Sequence, residues 1–178
     1  MVETEWFRVQ RDRDAVDIRG AQDFTRKRYP YFMDRAAFDS LDDDTAFYEY
    51  AGRKEFNDMI FEPTFMVSDG FQSIFHYLEP EMEFKSVHLL DESRKEGIPA
   101  PLYWIPFLPF TDAIHENTRV LQGKAAELVL KKEALAGHRI LHCRLPAEDL
   151  WLFSLEAAEC ILRRSPMGIG MAKVTKYL

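Results

Sequence analysis

The chain has 178 residues, of which 47% are hydrophobic and 13% aromatic, and its formal net charge is −7. This hydrophobic content excludes an intrinsically disordered protein. The negative charge disfavours the phosphates of nucleic acids as partners and favours a basic protein. The only two cysteines, Cys143 and Cys160, lie within apolar patterns. We therefore expect free, buried thiols in a reducing compartment.

The N-terminal sequence is acidic over residues 1–5 and lacks the apolar stretch of a signal peptide. No apolar run approaches the ~20 residues that cross a bilayer. We expect a cytoplasmic protein with no membrane partner and a single domain over residues 1–178. Within it, residues 1–60 are poorly assigned and residues 61–178 have α+β character.

Residues 5–10 predict a short opening strand, and the alternating charges of residues 11–14 indicate a solvated turn. Short helices are expected around 34–40 and 53–59. The basic cluster 26–28 has aromatic neighbours, a combination that nucleic-acid-binding surfaces also use. In an acidic chain it is better interpreted as a local, ion-paired patch.

Three consecutive carboxylates, Asp42, Asp43 and Asp44, precede an aromatic stretch. Such a run is most often a solvated loop. Its functional interpretation is a contact for a basic partner, because opposite charges across an interface steer association.

A strand–helix–strand unit occurs twice in the sequence. In each copy a short apolar run ends in a serine, Ser68 or Ser154, and a proline follows 12 residues later, Pro80 or Pro166. Serine favours the N-cap of a helix, and proline cannot continue one. The pattern therefore predicts capped helices after Ser68 and Ser154, and two related units within a mostly antiparallel α+β fold.

Apolar residues at helical spacing predict the buried stripe of each helix. The strands that complete the units are expected at 84–90 and 169–174. The predicted stripes consist of Phe71, Ile74, Phe75 and Leu78 in the first helix, and Ala158, Ile161 and Leu162 in the second.

The segment 99–110 contains four prolines among aromatic residues. Proline removes a backbone donor, so the pattern predicts an extended or edge segment laid over apolar surface. Its aromatic residues, with Tyr103 and Trp104 foremost, either cover the core or form an exposed partner-binding patch, since aromatic side chains anchor interfaces. Farther along, residues 128–132 and 138–145 predict a β-hairpin that leads into the strand before Ser154.

The sequence offers few arrangements that could carry chemistry. His138 and His142 lie about 13 Å apart along a strand, too far to share a metal ion, and are interpreted as surface or half-buried residues. The sequence contains neither a nucleophile elbow nor a phosphate-binding loop. Asp112, His115 and Glu116 form either a carboxylate–histidine cluster or a solvated turn. We therefore predict no catalytic residues, no cofactor and no metal.

Several segments together resemble a bacterial family of predicted immunity proteins for polymorphic toxins. It is the eleventh such family in one scheme and was formerly described as a domain of unknown function. The resemblance spans roughly residues 61–174, and Cys143 departs from it by replacing an aromatic or aliphatic residue. The residues that carry it are Phe65-Met66-Val67-Ser68 with the helix that follows, the strand 84–90, the stretch from Tyr103 to Asp112, Leu141-His142-Cys143-Arg144-Leu145, and Phe153-Ser154-Leu155-Glu156-Ala157-Ala158-Glu159 through Gly168.

The resemblance implies a small cytoplasmic protein, without a cofactor, that neutralises a cognate toxin domain by binding it. A basic toxin domain is then the expected partner, and the oligomeric state stays open. The residues selected as candidate contacts are Asp42, Asp43, Asp44, Tyr103, Trp104, Asp112 and Glu116. Two alternatives stay open. One is a small enzyme that uses Asp112, His115 and Glu116 or a cysteine–histidine pair, and the other is a module that oligomerises through the proline–aromatic segment.

Overall fold

The computed structural model describes residues 5–21, 23–50, 52, 55–93 and 95–178. Its architecture is α+β, as the sequence predicts. Within the described residues the elements are β1 (Trp6–Arg11), β2 (Arg19–Gly20), α1 (Arg35–Asp39), β3 (Asp44–Glu49), β4 (Met59–Ile60), β5 (Met66–Ser68), α2 (Asp69–Leu78), β6 (Glu83–Asp91), β7 (Leu102–Phe107), β8 (Arg119–Leu121), β9 (Lys124–Glu127), β10 (Val129–Leu130), a 3₁₀ helix (Lys132–Leu135), β11 (Ile140–Leu145), β12 (Glu148–Ser154), α3 (Leu155–Leu162), β13 (Ile169–Lys173) and β14 (Lys176–Tyr177).

Both predicted strand–helix–strand units are present and share one topology. A six-stranded sheet has the order β2-β3-β6-β7-β5-β4, and a four-stranded sheet has the order β11-β12-β1-β13. In the first unit, β5 and β6 lie on either side of β7 and antiparallel to it. In the second, β12 and β13 flank β1 in the same way. Each unit is thus a strand–helix–strand crossover with a third strand inserted between its two strands.

The two predicted cap serines occupy matching positions. Ser68 lies opposite Tyr103 on the inserted strand β7, and Ser154 lies opposite Trp6 on the inserted strand β1. Both aromatic partners are fully buried. Only Ser154 caps its helix, by accepting a hydrogen bond from the Ala157 N–H at 3.3 Å. Ser68 occupies the N-cap position of α2 as predicted, but its side chain makes no cap hydrogen bond, so that part of the prediction is wrong.

Helices α2 and α3 pack into a central core that also takes side chains from both sheets. The stripe predicted for α2 is confirmed. In α3, Ala158 and Ile161 are buried as predicted, but Leu162 is half exposed and Ala157 is buried instead. The rings of Phe75 and Phe153 meet edge-on at 5.6 Å in this core, where aromatic contacts add to the burial of apolar area.

Two further cores lie on the outer faces of the sheets. Residues of the N-terminal segment, among them Tyr29 and Phe38, pack on the six-stranded sheet. The four-stranded sheet buries Trp6, Leu141 and Cys143 against the segment that contains Ala113 and Leu130. Each sheet is therefore covered on both faces over these residues.

The proline-rich segment was expected to be an extended or edge segment. It is extended over β7, but β7 is an inner strand, so the edge placement is wrong. Pro106 pairs in register with Phe84 of β6. On the other side, the pairing with β5 ends at Trp104. Pro106 is tolerated because at its position β7 has only one neighbouring strand in register, so a missing donor breaks no second ladder.

Two other local predictions are corrected by pairing with distant segments. Residues 128–132 form no hairpin with residues 138–145, because β10 pairs in parallel with β14. The hairpin instead joins β11 and β12, with Leu145 opposite Glu148. The helix expected around 53–59 is absent from the described part of that range, since Met59 begins β4; residues 53 and 54 lie outside the described residues. The helix expected around 34–40 is confirmed as α1.

Candidate functional site

Of the three consecutive carboxylates, Asp43 and Asp44 are held by internal partners. Asp43 accepts hydrogen bonds from the backbone N–H and the hydroxyl of Ser86, both at 2.9 Å, and the backbone bond holds its pKa below the usual value. Burial raises the pKa of Asp44, but hydrogen bonds from Arg28 and the Thr45 N–H outweigh burial and lower it. Of the three carboxylates, Asp42 is exposed and accepts no such hydrogen bond from the residues that the structure describes.

The basic cluster 26–28 is ion-paired, in line with its interpretation from the sequence. Arg26 Nε donates to Glu62 at 2.9 Å. Arg28 Nη1 donates to Asp23 at 2.7 Å, and its Nε donates to Asp44 at 3.0 Å. These arginines are therefore committed to neighbouring carboxylates.

The two aromatic residues selected as contacts serve the core. Tyr103 is fully buried, and its hydroxyl donates to the backbone oxygen of Asn57 at 2.6 Å. This burial corrects its assignment to a contact surface. Trp104 is half-buried against the central core, and its indole N–H donates to Asp69 Oδ1 at 2.8 Å, in the first turn of α2. Both residues thus position elements of the fold.

The residues proposed for a carboxylate–histidine cluster do not converge. Asp112 is exposed and pairs with Lys131 at 2.6 Å. His115 Nδ1 accepts a hydrogen bond from the Asn117 N–H at 3.1 Å, and Glu116 is exposed. Within the described ranges, no three histidine, cysteine, aspartate or glutamate side chains lie close enough together to hold a metal ion.

A buried histidine–aspartate pair is the most unusual polar feature of the interior. His142 is 1% exposed, which corrects its interpretation as a surface or half-buried residue, whereas His138 is exposed. His142 Nε2 lies 2.7 Å from Asp149 Oδ1, and its Nδ1 lies 3.0 Å from the backbone oxygen of Leu108. The imidazole stacks on Trp151, with 4.2 Å between ring centroids.

The hydrogen-bond partners of His142 and Asp149 determine which of their atoms carry protons. The Leu108 oxygen only accepts, so His142 Nδ1 carries a hydrogen. A proton must also lie between Nε2 and the Asp149 carboxylate, since two lone pairs would repel at 2.7 Å. The other Asp149 oxygen accepts from the indole N–H of Trp151 at 3.2 Å. The arrangement joins β11, β12 and the segment after β7. Each polar side-chain atom of His142 and Asp149 has a hydrogen-bond partner in it.

The neighbouring thiol is not poised to react. Cys143 is buried on the opposite face of β11, in the outer core of the four-stranded sheet. Burial raises the pKa of its thiol to about 12. A reactive cysteine is instead a thiolate near neutral pH. Both cysteines are free, as the sequence predicts, although Cys160 is only half-buried.

An open groove of about 820 Å³ lies where the loop after β1 meets the turn before β13. We call it the acidic groove. Sequence patterns did not identify it, because residues 11–14 predict only a solvated turn. The groove is lined by Asp12, Asp14, Ala15, Val16, Asp17, Ile18, Arg19, Tyr48, Glu49, Glu55, Asn57, Pro166, Met167 and Gly168.

Hydrogen bonds fix the loop that forms one wall of the acidic groove. Arg11 donates to Asp17 at 2.8 Å and to the backbone oxygen of Ala15 at 2.6 Å. The buried amide of Asn57 donates to the backbone oxygen of Val16 at 3.0 Å. The Asp12 N–H donates to the oxygen of Gly168 at 3.1 Å. The loop is thereby tied to the six-stranded sheet and to the turn before β13.

The lining of the acidic groove combines negative charge with apolar surface. Among the residues that the structure describes, the lining contains five carboxylates and one guanidinium. Asp17 is paired with Arg11, but the carboxylates of Asp14, Glu49 and Glu55 form no ion pair with any residue that the structure describes. Val16 is 69% exposed and Met167 is 40% exposed. Such a lining suits a ligand that is both cationic and apolar.

A signal for this site is present in the sequence in hindsight. Residues 14–18 read Asp-Ala-Val-Asp-Ile, so apolar side chains lie between acidic ones in a short loop. The remaining carboxylates, Glu49 and Glu55, come from segments that only the fold brings to the loop.

No family model matches this chain, and no curated protein matches it. In the described portion of the chain, each helix is too short or too polar to cross a membrane. The family resemblance noted from the sequence therefore stays a prediction, and the acidic groove is the structural feature that bears on function.

Proposed function

We propose that this protein is a non-enzymatic binding protein that neutralises a cognate toxin domain by direct contact, as bacterial immunity proteins do. The single observation that carries the proposal is the acidic groove, whose carboxylates Asp14, Glu49 and Glu55 have no ionic partner among the described residues. These carboxylates are exposed, so they are available to a basic partner.

The overall charge and the sequence resemblance support the same function. A net charge of −7 extends attraction for a basic protein beyond the groove itself. A toxin domain that acts on nucleic acid carries such a basic surface. The resemblance over residues 61–174 implies a toxin-neutralising role in the cytoplasm of a bacterium, where the cognate toxin would otherwise act.

A stoichiometric inhibitor also needs more contact surface than the acidic groove provides. Stable interfaces bury about 800 Å² on each partner. We therefore place the groove at the centre of a larger interface, where a few anchor residues dominate the binding energy.

The test is a titration of the toxin domain encoded beside this gene, with toxin activity measured against the molar ratio of the two proteins. A binding inhibitor is expected to reduce activity linearly until the two proteins are equimolar. It should also form a complex that survives size-exclusion chromatography. Loss of toxin activity at far less than one equivalent would indicate an enzyme and contradict the proposal, as would no inhibition at equivalence.

A further inference from the structure

We propose that the acidic groove takes an extended segment of the partner protein in which a lysine or arginine side chain stands next to an apolar one. This inference rests on the proposed function and names the chemistry that the site recognises. It commits the groove to a basic peptide segment rather than to a metal ion or a nucleic acid.

The first argument is charge complementarity. Glu49 ends β3 beside Tyr48, and Glu55 comes two residues before the buried Asn57; with Asp14 from the loop after β1, both carboxylates line the groove. Exposed carboxylates around a cleft attract a cation that a guanidinium or ammonium group supplies. Phosphate-bearing partners would be repelled by the same groups.

The second argument is the exposed apolar surface within the same groove. Val16 is 69% exposed, yet its backbone oxygen is held by the buried amide of Asn57. The loop backbone is thus fixed while the valine side chain faces solvent. Together with Met167, which is 40% exposed, it offers a contact for an apolar side chain. Methionine adapts readily to partners of different shape.

The third argument is that the groove is already formed. Four hydrogen bonds hold the loop at Asp12, Ala15, Val16 and Asp17. A partner therefore binds without having to order this loop, and ordering is a principal cost of association. An extended segment suits an open groove of about 820 Å³ better than a folded element does.

A divalent cation is a poor alternative occupant. Calcium sites gather six to eight oxygen ligands around one ion. In the ranges that the structure covers, no three carboxylate, histidine or cysteine groups are close enough to form such a site. Because no three described groups cluster, the groove carboxylates fit the side chains of a peptide better than a single ion.

The experiment is an NMR titration of the ¹⁵N-labelled full chain with the peptide Arg-Leu-Arg-Leu-Arg, with Glu-Leu-Glu-Leu-Glu as the charge-reversed control. We expect the basic peptide to shift resonances of residues 12–19, 48–50, 55–57 and 167–168, and the acidic peptide to shift none of them. The shifts should shrink in 1 M salt, where screening acts over about 3 Å. Shifts that are absent, or that lie elsewhere on the protein, would overturn the inference.

Two variants sharpen the titration. Glu49→Gln with Glu55→Gln removes two groove charges and is expected to weaken binding of the basic peptide about fivefold. The matched control, Glu81→Gln with Glu133→Gln, removes two exposed charges outside the groove and is expected to leave binding within about twofold of wild type. Equal affinities for the two variants would contradict the inference.

The same variants separate this inference from the proposed function. If wild type and the Glu49→Gln/Glu55→Gln variant inhibit the toxin domain equally well, the proposed function stands and the groove inference fails. If the basic peptide binds the groove but wild type does not inhibit the toxin domain, the groove inference stands and the proposed function fails.

Discussion

Asn57 and Gly168 lie so close together that a Cβ atom on Gly168 would stand 2.5 Å from the Cβ of Asn57. The same asparagine donates its side-chain amide to the backbone oxygen of Val16, and Gly168 accepts from the Asp12 N–H. The contact therefore joins the six-stranded sheet, the turn before β13 and the acidic loop. It sets the shape of the acidic groove.

Replacing Gly168 with alanine is expected to destabilise the protein by about 2–4 kcal/mol. The backbone φ of 86° disfavours a side chain, which costs about 1–2 kcal/mol, and the clash with Asn57 adds about 1–2 kcal/mol. The matched control is Gly137→Ala, which has a φ of 82° but nothing within 4 Å of the added Cβ. If urea denaturation shows equal losses of unfolding free energy for the two variants, the clash with Asn57 contributes nothing.

The buried pair His142–Asp149 is expected to depend on the proton shared between its members. Asp149→Ala leaves a buried imidazole nitrogen without a partner, which should cost about 3–5 kcal/mol. Asp149→Asn keeps two hydrogen bonds, one from its amide to His142 Nε2 and one from Trp151 to its oxygen. The Asp149→Asn variant is therefore expected to lose less than half as much unfolding free energy as the Asp149→Ala variant. Guanidinium unfolding measures both values, and an asparagine variant as unstable as the alanine variant would contradict this hydrogen-bond assignment.

Ser154 and Ser68 should respond differently to alanine. Ser154→Ala removes the cap of α3 and is expected to cost about 1 kcal/mol. The Ser68 hydroxyl instead donates to Asp58 at 2.8 Å. Removing that hydroxyl therefore affects the turn around Asp58 rather than the end of the helix. Ser73→Ala, at an exposed interior position of α2, makes the same chemical change without a cap. Ser73→Ala should leave the unfolding free energy unchanged or raise it slightly. If it lowers stability as much as Ser154→Ala does, the lost cap does not explain the effect at Ser154.

The ionised form of Asp44 is expected to stabilise the folded protein. Its pKa is lower in the folded state, so the unfolded chain binds more protons and stability rises with pH. The stabilisation is fully present above the unfolded pKa of about 3.9 and is lost as pH falls through the lower, folded pKa. The difference in unfolding free energy between wild type and Asp44→Asn should therefore be constant above about pH 5. It should shrink under acid conditions, and a pH-independent difference would contradict this account.

Local sequence patterns predicted the elements whose boundaries depend on capping and helical periodicity. Helices α2 and α3 and the strands around them follow from serine, proline and the apolar stripes, all of which act within one or two turns. The failures concern partners in the sheets. The strand pattern of residues 129 and 130 does not reveal that they pair with β14. Pro106 argues against an inner strand, and the sequence does not show that β5 is too short to pair with β7 at Pro106.

The candidate site was less predictable for the same reason. The selected residues Asp43, Asp44 and Tyr103 have intramolecular partners that the sequence does not show. The acidic groove draws its carboxylates from segments about 40 residues apart in the sequence, from Asp14 to Glu55. The pairing of β2 with β3 and the packing of Asn57 against Gly168 bring these segments together.

Hydrogen–deuterium exchange of this protein, alone and in complex with the toxin domain, tests most directly whether it acts by contact through the acidic groove. We predict that complex formation slows exchange in residues 12–18 and 166–168. In the Glu49→Gln/Glu55→Gln variant, the same protection should require a higher toxin concentration. Protection confined to other surfaces, with these two segments exchanging as fast as in the free protein, would contradict the account.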